Sequence, residues 1–175
     1  MLSHWAYILI GQNNTGKTTF QRNIVRDLCG KSYKKLPRNF HAQIVHDRAQ
    51  RRLDTLFAMN RSFQEMHDQF KTVSAFFARG FKDADVCFLS SHADTASIAD
   101  VQQMIEHLHQ RCYNVGAIFF SNGFDNKAPQ ISCLPWQERF WIENPFQSDE
   151  SKVSAQLESA AKDFGNLVLV RAPAQ

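Results

Sequence analysis

Residues 11–18 read Gly-Gln-Asn-Asn-Thr-Gly-Lys-Thr, and this octapeptide constrains the fold of the chain more than any other stretch. It has the spacing G-x-x-x-x-G-K-[ST]. Gly11 and Gly16 permit a tight bend in which the backbone can approach a ligand with no side chain in the way. Such a bend turns successive N–H groups inward and forms a nest for an anion. Lys17 adds a mobile positive charge, and Thr18 adds a hydroxyl able to ligate Mg2+. The flanks fit. Residues 5–10, Trp-Ala-Tyr-Ile-Leu-Ile, form a short apolar run suited to a buried parallel strand. Residues 18–28 predict a helix, because Phe20, Ile24 and Leu28 recur four apart and Gly30 follows as a stop. That helix aims the positive end of its dipole at the same anion.

Strand, loop and helix in this order resemble the phosphate-binding segment of the P-loop NTPase superfamily. The resemblance implies a nucleoside triphosphate, ATP first, bound with Mg2+. Its phosphates would lie against Gly11, Gln12, Asn13, Asn14, Thr15, Gly16, Lys17, Thr18 and Thr19, with Lys17 catalytic and Thr18 on the metal.

The pattern continues along the chain. Further strands are expected at residues 41–46, 86–90, 115–120 and 166–170. Helices are expected at 62–79, 94–112 and 151–164, with Gly80 and Gly165 as stops. A shorter helical stretch would carry Arg51, Arg52, Leu53, Leu56 and Phe57. Alternation of this kind predicts an α/β protein: three layers, α/β/α, around a mainly parallel five-stranded sheet. Residues 1–175 would form a single domain, with 124–150 as an insertion or lid. In such sheets ligands lie beyond the C-terminal strand ends. The segments to watch are therefore 11–18, Asp47-Arg48, Ser90-Ser91-His92 and Ser121-Asn122.

Composition bounds the function classes. Net charge is +3, which suits anionic ligands and is no nucleic-acid signature by itself, so nucleic acid stays open as a partner. No apolar run is long enough to cross a bilayer, and no basic-then-apolar leader opens the chain. Cys29, Cys87, Cys112 and Cys133 are scattered without a C-x-x-C pair, as for reduced thiols. A cytoplasmic protein with no membrane partner is expected. The 15 phenylalanines sit mostly at helix or strand spacing and read as core.

The second acid decides among activities. P-loop NTPases commonly place one at a strand tip. The strand at 86–90 ends Leu89-Ser90-Ser91-His92, without a carboxylate. Asp94 could serve Mg2+ or cap the following helix. Asp85 precedes its strand and belongs at the wrong end, whereas Asp47 follows one directly. This distribution resembles small-molecule kinases of the gluconate, shikimate and adenylylsulfate type. It implies that Asp47 holds the acceptor and that Arg48, Arg51 and Arg52 clamp its anionic group. The stretch 122–150 would be a lid, with Arg139 reaching the transferring phosphoryl group and Trp136 or Trp141 stacking on a base or closing a hydrophobic edge.

Residues 111–122 also resemble the sensor strand of packaging- or motor-type ATPases, with Ser121 or Asn122 sensing the γ-phosphate. A nucleotide-dependent switch without turnover is a third reading. His46 and His92 lie at strand ends, and either could hydrogen-bond structurally or move a proton. His107 and His109, two apart on a helix, point in different directions and make no metal pair.

Overall fold

A computed structural model describes residues 4–49, 52–121, 127–143 and 149–171. Its centre is β1 (His4–Ile10), whose last five residues are fully buried. β1 pairs in parallel with β4 (Val86–Ser91) on one side and β5 (Tyr113–Ser121) on the other. Beyond β4 lies β3 (Thr55–Met59), parallel to it, and then β2 (Asn39–Gln43), antiparallel. Beyond β5 lies β6 (Glu138–Glu143), also parallel. The sheet has six strands in the order β2-β3-β4-β1-β5-β6.

Strand side chains alternate faces, and this splits the core in two. Ala6, Ile8, Ile10, Phe57, Cys87, Leu89 and Val115 face one cluster. Tyr7, Leu9, Leu56, Ala58, Phe88 and Ile118 face the other. α3 (Val73–Arg79) and α4 (Thr95–Gln110) cover the first face with Phe76, Val101, Ile105 and Leu108. α1 (Lys17–Cys29) and α6 (Glu150–Arg171) cover the second with Phe20, Ile24, Leu157 and Phe164. Burying an aliphatic or aromatic side chain of this size contributes about 1.5–3 kcal/mol before conformational entropy is subtracted.

The strand count and four assignments differ from the sequence expectation. Residues 55–59 form β3 rather than part of a helix. Leu56 and Ala58 face one core while Phe57 and Met59 face the other, a period of two that the preceding Leu53 disguises. The strand expected at 41–46 is β2, ending at Gln43, and Asp47–Ala49 is a single 3-10 turn. The helix expected at 62–79 is three pieces. A 3-10 turn at Phe63–Met66 runs into the short α2 (His67–Phe70); Lys71 then turns left-handed (φ 64), and Thr72 caps α3 by accepting from Ala75 N.

No strand forms at 166–170. These residues complete α6, because Leu157, Ala161, Phe164 and Val168 continue one helical stripe onto α1. Gly165 sits mid-helix, facing Asp27 of α1. The end of α6 is anchored on the sheet. Arg171 donates to Glu138 and to the Tyr7 hydroxyl, and its guanidinium lies 5.1 Å from the Trp5 ring centre. Burial, reinforced by Glu138, holds the Tyr7 hydroxyl well above the ordinary tyrosine range. The remaining short helix, α5 (Ala128–Ser132), joins β5 to β6. β6 therefore occupies part of the stretch expected to be a lid. No helix among the described residues is long and apolar enough to cross a membrane.

Gly116 of β5 lies in register with Tyr7 on one side and Glu138 on the other. A Cβ there would stand 2.7 Å from the Tyr7 ring, which Phe164 meets edge-on with ring centres 4.8 Å apart. The ring has no room to yield, so Gly116→Ala should lower unfolding free energy by about 1–3 kcal/mol, measured by urea denaturation.

Candidate functional site

The loop after β1 emerges at the middle of the sheet, between the tips of β4 and β5. Gly11 N still donates to Ser91 O at 3.3 Å, so the ladder persists one residue past the strand. The chain then bends through two left-handed residues, Asn14 (φ 62) and Gly16 (φ 97), into α1. Gly16 tolerates this conformation because it has no Cβ. Its carbonyl takes the first helical bond, from Phe20 N at 2.9 Å. Thr15 Oγ1 donates to Gln12 O at 2.9 Å. Lys17 Nζ donates to Gly11 O at 2.5 Å and Gln12 O at 2.8 Å, so the loop wraps its own ammonium.

A cleft of about 610 Å3 opens over this loop. Asn13, Asn14, Thr15, Gly16, Lys17, Thr18 and Thr19 line one wall. Gln12 shapes the loop through its carbonyl, and Gly11 lies buried beneath it. Asn60, Arg61, Ser62 and Glu65, which follow β3, line another wall; Lys35 and the start of α6, at Glu150, Val153 and Leu157, complete the lining. Three cations, Lys17, Lys35 and Arg61, thus meet two carboxylates, Glu65 and Glu150. Exposed Thr18 Oγ1 lies 3.4 Å from Asn60 O. Two neutral oxygens side by side suit a hard cation that keeps most of its shell as water and phosphate. No group of three or more His, Cys, Asp or Glu among the described residues could hold a metal alone.

Beneath the cleft the strand tips are neutral and tightly tied. Ser90 and Ser91 are fully buried. Gln21, one turn beyond Lys17 on α1, donates to Met59 O at 3.0 Å and Ser90 Oγ at 3.1 Å. Gln64 Oε1 accepts from Ser91 Oγ at 3.2 Å and His92 N at 3.1 Å, while its amide donates to Asp100.

Several residues singled out by the sequence lie elsewhere. Gln43 of β2 pairs with Thr55, the first residue of β3, so the chain leaves β2 at the end of the sheet opposite the loop. Asp47, Arg48 and Arg52 line a separate hollow there with Leu169 and Val170, and Arg48 donates to Asn166. Arg51 lies outside the described residues. Arg139 pairs with Ala117 halfway along the sheet. Its guanidinium donates to Ser132 O and Leu134 O, at and just past the end of α5, and Arg139 does not line the cleft. Trp136 donates to Ile131 O, and Trp141 stacks on Phe119 at 4.4 Å; neither lines the cleft.

Asp94 caps α4, accepting from Ser97 N at 2.8 Å and Ser97 Oγ at 2.6 Å. It does not line the cleft. Asp85 ties β4 to β3 at the far end by accepting from Asp54 N and Thr55 N. Asn122 lies outside the described residues, and Ser121 ends β5.

Lys35, Arg61, Glu65, Gln21 and Gln64 were not singled out from sequence. For Gln21 a signal existed: it lies four residues beyond Lys17 on the expected helix and so shares its face. For Arg61 and Glu65 there is none, because the sequence before them predicts a helix where β3 stands. No family model matches the chain, and no curated protein matches it significantly.

Proposed function

We propose that this chain binds a Mg2+-nucleoside triphosphate, ATP first, and transfers its terminal phosphoryl group to a small acceptor. The observation that carries the reading is the loop itself. A buried central strand, a bend through left-handed Asn14 and Gly16, and a helix opening on Lys17 give the loop the shape that a phosphate cradle needs, with an ammonium beside it. The P-loop form of the α/β fold belongs to this proposal, as does the identity of the nucleotide.

In this reading the β- and γ-phosphates lie against the loop amides and the start of α1, where the helix dipole favours an anion. Lys17 stabilises the charge that moves onto the bridging oxygen as the γ-phosphoryl leaves. The Thr18 hydroxyl and the Asn60 carbonyl would hold Mg2+, which when bound offsets phosphate charge. Arg61 and Lys35 recognise an anionic group on the acceptor, the part expected of Arg48 and Arg52, which line a separate hollow. A cleft of about 610 Å3 is within the usual range for a small-molecule site. The buried, uncharged tip of β4 favours a second reading, a nucleotide-dependent switch that does not turn over. Formation of ADP from Mg-ATP, which the first reading requires and the second forbids, separates the two.

Equilibrium binding of a fluorescent ATP analogue with Mg2+ tests the shared premise. Lys17→Ala should weaken binding about 10- to 100-fold, the range for losing a charge-assisted contact; an unchanged dissociation constant would remove the basis of the proposal. Asp47→Ala, at the far end of the sheet, should leave the same constant within about twofold, since no contact to the cleft is lost.

A further inference from the structure

No carboxylate stands at the tip of β4, and the two acids that do reach the cleft, Glu150 at the start of α6 and Glu65, arrive by other routes. Glu65 lies in the 3-10 turn Phe63–Met66 and lines the wall facing the loop. Behind it stands His92, the first residue past β4. His92 Nε2 lies 3.6 Å from Glu65 Oε1, and His92 Nδ1 lies 3.9 Å from Asp94 Oδ2. The imidazole is enclosed, with its side chain only 14% exposed. Nε2 is buried and makes no hydrogen bond. A buried ring nitrogen without a partner costs free energy, and the Glu65 carboxylate is the nearby group of matching chemistry.

The rest of the surroundings hold the pair in place. Gln64 fixes the His92 amide at 3.1 Å, so the histidine and the Glu65 turn are joined through one side chain. Asp94 is itself pinned by Ser97, at the N-terminus of α4. The result is a carboxylate, an imidazole and a second carboxylate in a row, with only the first open to the cleft. A proton acceptor whose partner is oriented by a third group is the general arrangement of an activated base. Contacts of this kind are often long without ligand and shorten when substrate closes the site.

We propose that Glu65 is the catalytic base of the cleft and that His92 is its positioning residue; the proposal rests on the phosphoryl-transfer reading above. The acceptor's O–H bond breaks and its proton passes to a Glu65 oxygen. The acceptor oxygen's electron pair forms the new bond to the γ-phosphorus. The bond between γ-phosphorus and bridging oxygen breaks, and its electron pair leaves with the diphosphate. As substrate closes the site, His92 Nε2–H comes within reach of the Glu65 carboxylate, donates to it and holds it toward the acceptor. When no other acceptor is present, water takes the same place.

The test uses the full chain, Mg-ATP and water as acceptor, reading phosphate release, with binding of a fluorescent ATP analogue measured in parallel. Glu65→Gln should lower kcat at least about 100-fold, as for loss of a general base, with analogue affinity within about twofold. His92→Leu should lower kcat about tenfold at unchanged KM, as for loss of a charge-assisted hydrogen bond. His92→Gln, whose amide can donate in place of Nε2, should recover most of that loss, which a merely space-filling role would not produce. Wild-type turnover in Glu65→Gln, or binding by the wild type with no phosphate release, overturns Glu65 as base. A His92→Gln variant as slow as His92→Leu overturns the positioning role. Failure of the wild type to bind the analogue overturns instead the nucleotide reading on which the proposal rests.

Discussion

The backbone constraint at the end of β1 governs the rest of the structure. That strand is paired on both sides through Ile10, so its chain has no freedom until Gly11. It must then turn sharply enough to lay α1 on one face of the sheet. The carbonyls of Gly11 and Gln12 lie inside the turn, where unpaired backbone groups are costly. Lys17 Nζ donates to both, and Thr15 Oγ1 adds a bond to Gln12. The charge suited to a phosphate therefore also closes the loop. Loop shape and cation placement cannot be separated, and α1 starts where the lysine needs to be.

Once α1 is placed, the remaining layers follow from what it leaves uncovered. Phe20, Ile24 and Leu28 cover only part of the sheet face, and Phe164 fills the gap, its ring 5.8 Å from Phe20 and 4.8 Å from Tyr7. This explains why the C-terminal apolar run is helix. The strand expected at 166–170 would have left that face open. The run Leu167-Val168-Leu169-Val170 carries β-branched residues and follows a glycine, which is the local signature of a strand. The deciding information is the register with Ala161 and Leu157, about two to three turns upstream.

Elements whose pattern is complete within about ten residues were legible in the sequence: β1, the loop, α1, β4, α4 and β5. Those that depend on a distant partner were legible in part or not at all: β2 is expected as a strand but not its direction, and β3 is expected as helix. β2 and β3 are short, and their direction is set by pairing with each other before either meets β4. Reading β3 as helix reversed the meaning of every residue nearby. Asp47 follows a strand, as expected, but an antiparallel one, so it emerges at the opposite end from the loop. Asn60, Arg61 and Glu65 inherit the position that the parallel pattern had assigned to Asp47. β6 is an edge strand with Arg139 and Trp141 exposed, and without a second buried face it lacks the apolar run that marks β1 or β5. In each case the error was one of strand direction or partner, not of residue chemistry.

Burial also explains why the acid of this cleft does not come from a strand tip. Ser90 and Ser91 are wholly enclosed, and their hydroxyls are already engaged by Gln21 and Gln64. A carboxylate in place of Ser90 would have to lose its hydration against one amide donor, and charged groups are poorly tolerated on those terms. The two glutamines give the tips a different use. Gln21 ties α1 to the ends of β3 and β4, and Gln64 ties the turn carrying Glu65 to β4 and to α4 through Asp100. The tips thus serve as a rigid, uncharged floor. Charge is carried by the walls, where Arg61 and Glu65 keep contact with solvent and can face a ligand at lower desolvation cost, while buried Lys17 is offset by the carbonyls of Gly11 and Gln12.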